Sequence, residues 1–223
     1  MFRWNYDFSN QLANQGVHSL DAFRGMMGET APKYVTATGG RKFLDDDGNV
    51  PDTMFCVWEF ADGRTIEFTI HEAGGAALNA KRELEFMLED GAAYYNGSTS
   101  FRIVPSKGRL FRNPRDPKFA EVAETFKETF VCKDKSGASS TDACVRNFLD
   151  CVKTRGTPVV SLEEGHRSTT MAHIANIACR LGGQKLEWDG KAERFVGHLA
   201  DEANKYLSYE YREGFRRYPG LGC

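Results

Sequence analysis

The sequence lacks the cysteine and histidine spacings that usually mark a metal or redox site. Its six cysteines include no Cys-x-x-Cys pair, so neither a zinc ribbon nor a dithiol redox centre is expected. Among the histidines, His166 and His173 share a helix face but lie too far apart to ligate one ion. We therefore expect no metal site. Buried thiols in a reducing compartment are one interpretation of the cysteines, and a disulfide framework is the alternative.

Long apolar runs and an excess of one charge are also absent. No run approaches the roughly 20 residues of a membrane-spanning helix, and the N-terminus lacks the basic start and apolar stretch of a signal peptide. The 29 basic and 31 acidic residues nearly cancel. This balance gives no reason to expect a nucleic acid or a membrane as a partner. A cytoplasmic location is expected.

The sequence also lacks a glycine-rich dinucleotide-binding turn. Such a turn joins a strand to a helix, so that backbone N–H groups at the helix N-terminus meet the pyrophosphate. The only Gly-x-Gly is Gly220-Leu221-Gly222, and no helical pattern follows it. We therefore expect no Rossmann domain and no cofactor in this chain.

The composition and length of the chain are typical of a globular protein. We predict a single domain over residues 1–223. Apolar periodicity predicts helices over 11–28, 119–130, 142–154, 161–181 and 200–207, and the pair Gly182-Gly183 is expected to end the fourth. Alternation and turn residues predict strands over 34–38, 53–60, 64–71, 83–88, 92–96, 99–104 and 185–188, with a hairpin turn at Asp62-Gly63. This order indicates an α+β fold, an open and mostly antiparallel sheet with helices on one face.

Two segments carry a family resemblance. Residues 14–21 read Asn-Gln-Gly-Val-His-Ser-Leu-Asp, and residues 158–182 contain Glu-Glu-Gly-His-Arg-Ser-Thr-Thr. They resemble the C-terminal domain of the Gfo/Idh/MocA oxidoreductases, which include glucose–fructose oxidoreductase and inositol dehydrogenase. The resemblance implies a GAPDH-like C-terminal domain. It also implies that this chain begins inside the second domain of relatives that bind NAD or NADP through a first domain.

Asn14 and His18 form the candidate site. Four residues apart on a helix, they share a face, and histidine can take a hydroxyl proton near neutral pH. The family usually has Asp and His at these positions, which implies a catalytic His18 and substrate binding by both residues. Asn14 can hold a hydroxyl but cannot titrate. Alternatively, His18 is a structural histidine bonded to a neighbouring carbonyl.

Other family positions are less clearly matched. The catalytic lysine of the family precedes a proline, and no proline of this chain follows a lysine. Trp4 and Tyr6 are candidates for stacking on a sugar ring, or else belong to an edge strand. His166 either contacts substrate or helps to start and dock its helix.

These observations predict a substrate-binding and oligomerisation domain for a sugar or polyol, unable to transfer hydride alone. The first alternative is a non-catalytic assembly module whose sheet pairs with a full-length homologue or with a second copy. The resemblance implies such homo- or hetero-oligomers, because family members associate through this sheet. A further alternative is a keto-sugar lyase or isomerase that uses His18.

Overall fold

The computed structural model describes residues 10–28, 31–72, 84–88, 91–95, 100–105, 130–133 and 139–208. The nine strands found there are β1 (Tyr34–Gly40), β2 (Thr53–Glu59), β3 (Thr65–His71), β4 (Leu84–Leu88), β5 (Gly91–Tyr95), β6 (Ser100–Pro105), β7 (Phe130–Lys133), β8 (Leu186–Asp189) and β9 (Arg194–Val196). The helices are a π-helical turn (Leu12–Gly16), α1 (Val17–Met27), α2 (Ser140–Thr154), α3 (Leu162–Arg180) and α4 (Ala200–Asn204). The predicted α+β class is confirmed.

The described strands form two sheets, and every strand pair within them is antiparallel. The first sheet has the order β3-β2-β1-β8-β9 and the second the order β4-β5-β6-β7. Each belongs to a different compact unit. The first unit comprises Met1–Gly75 with Glu163–Cys223, and the second comprises Ala76–Leu162. That residues 1–223 act as a single domain stays a prediction.

Alternation of apolar residues places the core of the first unit on one face of the five-stranded sheet. Val35, Trp58 and Ile66 are paired across β1, β2 and β3, and all three are buried. The predicted Asp62-Gly63 turn joins β2 to β3. Gly63 has φ of 90°, a left-handed conformation that favours glycine, and Asp62 Oδ1 accepts a hydrogen bond from the N–H of Arg64. The sequence signal therefore identified this hairpin correctly.

Helix α3 belongs to the same core. Its side chains from Met171 to Ala178 are buried apart from that of His173, and Trp58 Nε1 donates a 3.1 Å hydrogen bond to the carbonyl of Met171. The predicted stop at Gly182-Gly183 is confirmed, because both glycines have positive φ and the N–H of Gly183 bonds the carbonyl of Ala178.

The helix predicted over 11–28 is also confirmed, with one difference. Its first turn is π-helical, from Leu12 to Gly16, and Gly28 ends α1 in a left-handed conformation. A Cβ at Gly16 would lie 3.1 Å from Cζ of Phe68 on β3. The π-helical turn therefore packs closely against the sheet.

The second unit contains the four-stranded sheet and α2. Ser139 Oγ caps α2 by accepting a hydrogen bond from the N–H of Asp142. No residue of α2 is buried. The helix predicted over 119–130 lies outside the described residues as far as residue 129, and Phe130 begins β7 rather than ending a helix.

Strand β9 was not predicted, and α4 is shorter than the predicted helix over 200–207. β9 has three residues, too few for an alternating pattern. The side chain of Asn204 on α4 bonds both the N–H and the carbonyl of Phe195, at 2.8 and 3.0 Å. A tertiary contact therefore helps to hold this strand.

The prediction of buried thiols holds in part. Cys56 on β2 is buried, and burial raises the pKa of its thiol, whereas Cys144 on α2 is exposed. Cys56, Cys144, Cys151 and Cys179 are all free. In the described part of the chain, no helix is long and apolar enough to cross a membrane.

Candidate functional site

Asn14 and His18 lie on the exposed side of the first helical segment. Asn14 belongs to the π-helical turn, a local distortion that often occurs at functional sites. Its side-chain amide donates to Gln11 Oε1 at 3.3 Å, and Gln11 in turn donates to Glu72 Oε1 at 3.1 Å. This chain of hydrogen bonds links the turn to the residue that follows β3.

His18 has an exposed imidazole that makes no hydrogen bond or ion pair within the described residues. No carbonyl among the described residues accepts a hydrogen bond from this ring, and the role of His18 stays a prediction. An exposed imidazole can form hydrogen bonds with a ligand hydroxyl.

A buried hydrogen-bond network fixes α1 to α3 just after His18. Arg24 is 3% exposed. Its Nη1 donates to Ser168 Oγ at 2.8 Å and to the carbonyl of Glu164 at 3.1 Å, and its Nη2 bonds Glu164 Oε2 at 3.0 Å. Ser168 Oγ then donates to Asp21 Oδ1 at 2.6 Å. The helix that carries His18 is thus anchored by charged and polar groups.

Sequence reasoning missed Arg24, although a signal was present. Leu20, Phe23 and Arg24 are all buried on α1, so a cation occupies a core-facing position of an amphipathic helix. A buried arginine needs partners of opposite charge or polarity. The hydrogen bond from Ser168 gives Asp21 a structural partner on another helix.

Of the remaining candidates, the structure describes His166, which bonds neither Asn14 nor His18. His166 is exposed, and its Nε2 lies 2.7 Å from Glu193 Oε1. Trp4 and Tyr6 lie outside the described residues, so their predicted contacts with substrate stay predictions. His173 on α3 is mostly buried, and burial lowers its pKa.

The described residues contain neither the strand arrangement of a Rossmann-type dinucleotide site nor a cluster of metal ligands. A dinucleotide site of the Rossmann type lies between parallel strands and a helix, and every described strand pair is antiparallel. No group of three or more His, Cys, Asp or Glu side chains suited to a metal ion occurs in this part of the chain.

The fold and the helix motif define the C-terminal domain of an oxidoreductase. The family model described as the C-terminal alpha/beta domain of the oxidoreductase family, Gfo/Idh/MocA, matches residues 96–217. That match covers more than half of the sequence, so this chain belongs to the Gfo/Idh/MocA oxidoreductase family, as the motifs predicted. No curated protein matches the sequence.

Solved structures share the fold at low sequence identity. An NAD-binding protein from Listeria innocua has a TM-score of 0.53 at 14% identity, over 82% of this chain and 53% of its own. The UDP-N-acetylglucosamine 3-dehydrogenase GnnA from Acidithiobacillus ferrooxidans has a TM-score of 0.52 at 14% identity, over 74% and 47%. The WlbA dehydrogenase from Bordetella pertussis, in complex with NADH and UDP-GlcNAcA, has a TM-score of 0.50 at 15% identity, over 84% and 47%. This chain spans about half the length of each.

Proposed function

We propose that this chain is the substrate-binding half of a sugar or polyol dehydrogenase, and that it does not transfer hydride by itself. The observation that carries this proposal is the exposed face of Asn14 and His18, whose imidazole has no partner within the described residues. Family membership supports a role in oxidoreductase chemistry. The two related dehydrogenases named above suggest a sugar substrate.

Asn14 and His18 have different proposed roles, because their side chains differ in chemistry. Asn14 can accept or donate a hydrogen bond to a substrate hydroxyl, and His18 can take the proton of the hydroxyl that is oxidised. The oxidation also needs a hydride acceptor. We expect NAD or NADP, bound by a separate domain, to supply it. The network of Arg24, Ser168 and Asp21 keeps the helix in place while substrate binds.

We also propose that the domain associates with a homologue or with a second copy of itself. Large apolar side chains stay exposed in the second unit. Met87 and Leu88 on the edge strand β4 are 88% and 50% exposed, and Val145, Phe148, Leu149 and Val152 on α2 are 41–61% exposed. An exposed edge strand with apolar side chains is a common site of association.

A keto-sugar lyase or isomerase is less well supported. Such a reaction moves a proton between two positions and generally requires two titratable groups near the substrate. Asn14 cannot titrate, and Asp21 is held by Ser168. His18 is the sole titratable residue on this face without a partner among the described residues.

A cytoplasmic location stays a prediction.

Calorimetric titration with myo-inositol and D-glucose tests the substrate site. We expect weak binding, with a Kd of about 1 mM or above, because Asn14 and His18 are exposed and an exposed face encloses little of a ligand. The substitution His18→Ala should abolish binding and leave the thermal midpoint within a few degrees. The control His198→Ala removes another exposed histidine and should keep binding. Equal binding by both variants, or none by the unaltered chain, would contradict the proposal.

A further inference from the structure

A cavity of about 330 Å³ lies beside the β8–β9 turn. Its base is formed by the buried residues Pro32, Met171 and Trp188, and its rim by polar side chains from α3 and the turn. Neither Asn14 nor His18 lines it. The volume is near the lower end of the range for small-molecule sites, about 300–1,000 Å³.

The walls of this cavity are fixed by local hydrogen bonds. The N–H of Trp188 donates to the carbonyl of Lys33 at 2.8 Å. Asp189 Oδ1 accepts from the N–H groups of Lys191 and Ala192, both at 2.9 Å. Gly190 lies so close to Ala31 that a Cβ at position 190 would overlap the side chain of Ala31. The cavity is therefore preformed rather than dependent on a ligand to shape it.

The rim presents one exposed cation and one anchored carboxylate. Arg167 is already bonded to Glu163, at 2.8 Å. Lys191 is exposed and makes no direct salt bridge within the described residues, although its positive charge lies near the Asp189 carboxylate. Glu193 is held by His166, whose Nε2 lies 2.7 Å from Oε1. His166, a substrate-binding candidate from the sequence, thus positions a carboxylate that lines this cavity.

We propose that this cavity is a second ligand site, which binds a small carboxylate-bearing polyhydroxy molecule about the size of a monosaccharide. The ligand carboxylate pairs with the ammonium group of Lys191. Its hydroxyls donate to Glu193 and reach Thr170, and its apolar face lies on the base formed by Trp188 and Met171. A neutral sugar of the same shape lacks the charge that Lys191 recognises. The site shares no residue with the Asn14–His18 face and goes beyond the function proposed above.

Titration of the whole chain with D-glucuronate and with D-glucose tests the proposal, because the two pyranoses differ at one carbon. We expect glucuronate to bind at least about tenfold more tightly, as a charge-assisted contact allows. Lys191→Gln should remove that preference. Lys205→Gln neutralises another exposed lysine, which does not line the cavity, and should keep the preference. Thr170→Trp should block binding by filling the cavity.

The variant His18→Ala separates this proposal from the first one. It should leave the binding that depends on Lys191 unchanged, whatever its effect on neutral polyols. The second site is overturned if glucuronate binds no better than glucose. It is equally overturned if Lys191→Gln and Lys205→Gln change glucuronate binding to the same extent.

Discussion

Ser168 on α3 donates a 2.6 Å hydrogen bond to Oδ1 of Asp21 on α1, one helical turn after His18. The same hydroxyl oxygen accepts from Arg24 at 2.8 Å. The Ser168 side chain therefore links a carboxylate and a guanidinium of α1 to α3. This relationship explains how the helix that carries the exposed His18 keeps a defined orientation on the sheet.

Removing the buried cation tests that explanation. We expect Arg24→Met to lower the free energy of unfolding by about 2–4 kcal/mol, because the buried hydroxyl of Ser168 and the half-exposed Glu164 lose a cationic partner. Arg194→Met alters an exposed arginine of the same unit and should cost less than about 0.5 kcal/mol. Urea denaturation of both variants gives the comparison. Equal midpoints for the two variants would show that the network does not stabilise the unit.

Asp52 organises the loop between β1 and β2. Its carboxylate accepts hydrogen bonds from the N–H groups of Lys42, Phe43 and Leu44 at 2.8–3.0 Å, and from the Thr53 hydroxyl at 2.9 Å. Burial raises the pKa of Asp52, but these hydrogen bonds outweigh it and lower the pKa to about 2. The folded state therefore favours the ionised form.

The pKa of Asp52 predicts a specific loss of stability in acid. Because the folded pKa lies below the unfolded value of about 4, the stabilisation is complete above that value and is lost as the pH falls toward about 2. We expect Asp52→Asn to cost about 2 kcal/mol at neutral pH and to flatten the stability curve in this window. Asp45→Asn, in the exposed part of the same loop, should leave the curve unchanged. A variant Asp52→Asn with the original acid dependence would refute this account.

Local signals were enough to predict much of the fold. Ile66 and Ile70 alternate with exposed residues along β3, and the Asp62-Gly63 turn and the Gly182-Gly183 stop depend on backbone conformations that few residues adopt. Helical spacing likewise predicted that Asn14 and His18 share a face, whereas their roles as site residues came from the family resemblance. Such features are set by residues close together in the sequence.

Features that depend on distant residues were not predicted. β9 is held by the side chain of Asn204, the π-helical turn lies where Gly16 meets Phe68, and Arg24 finds its partners on α3. The residues that line the cavity beside Trp188 come from three separate segments of the chain. Helical spacing marks Arg24 as core-facing, but no local pattern identifies the distant partners of these residues.

Self-association can be tested at the edge of the four-stranded sheet. We expect the chain to form a dimer or a larger oligomer at tens of micromolar in sedimentation velocity. Met87→Lys should raise the dissociation constant by about tenfold, because charge on an edge strand opposes pairing. Met26→Lys, at an exposed methionine of α1, should have little effect. A monomer at all concentrations would exclude association through this edge.

The central claim is that this chain holds the substrate site and not the nucleotide site. NMR titration of the labelled chain, first with myo-inositol and then with NADH, tests both halves of it in one sample. We predict that myo-inositol shifts the resonances of Asn14, His18 and their neighbours on α1, and that NADH produces no saturable shifts. Shifts with myo-inositol confined to other regions, or saturable NADH binding tighter than about 100 μM, roughly 5.5 kcal/mol, would contradict the account.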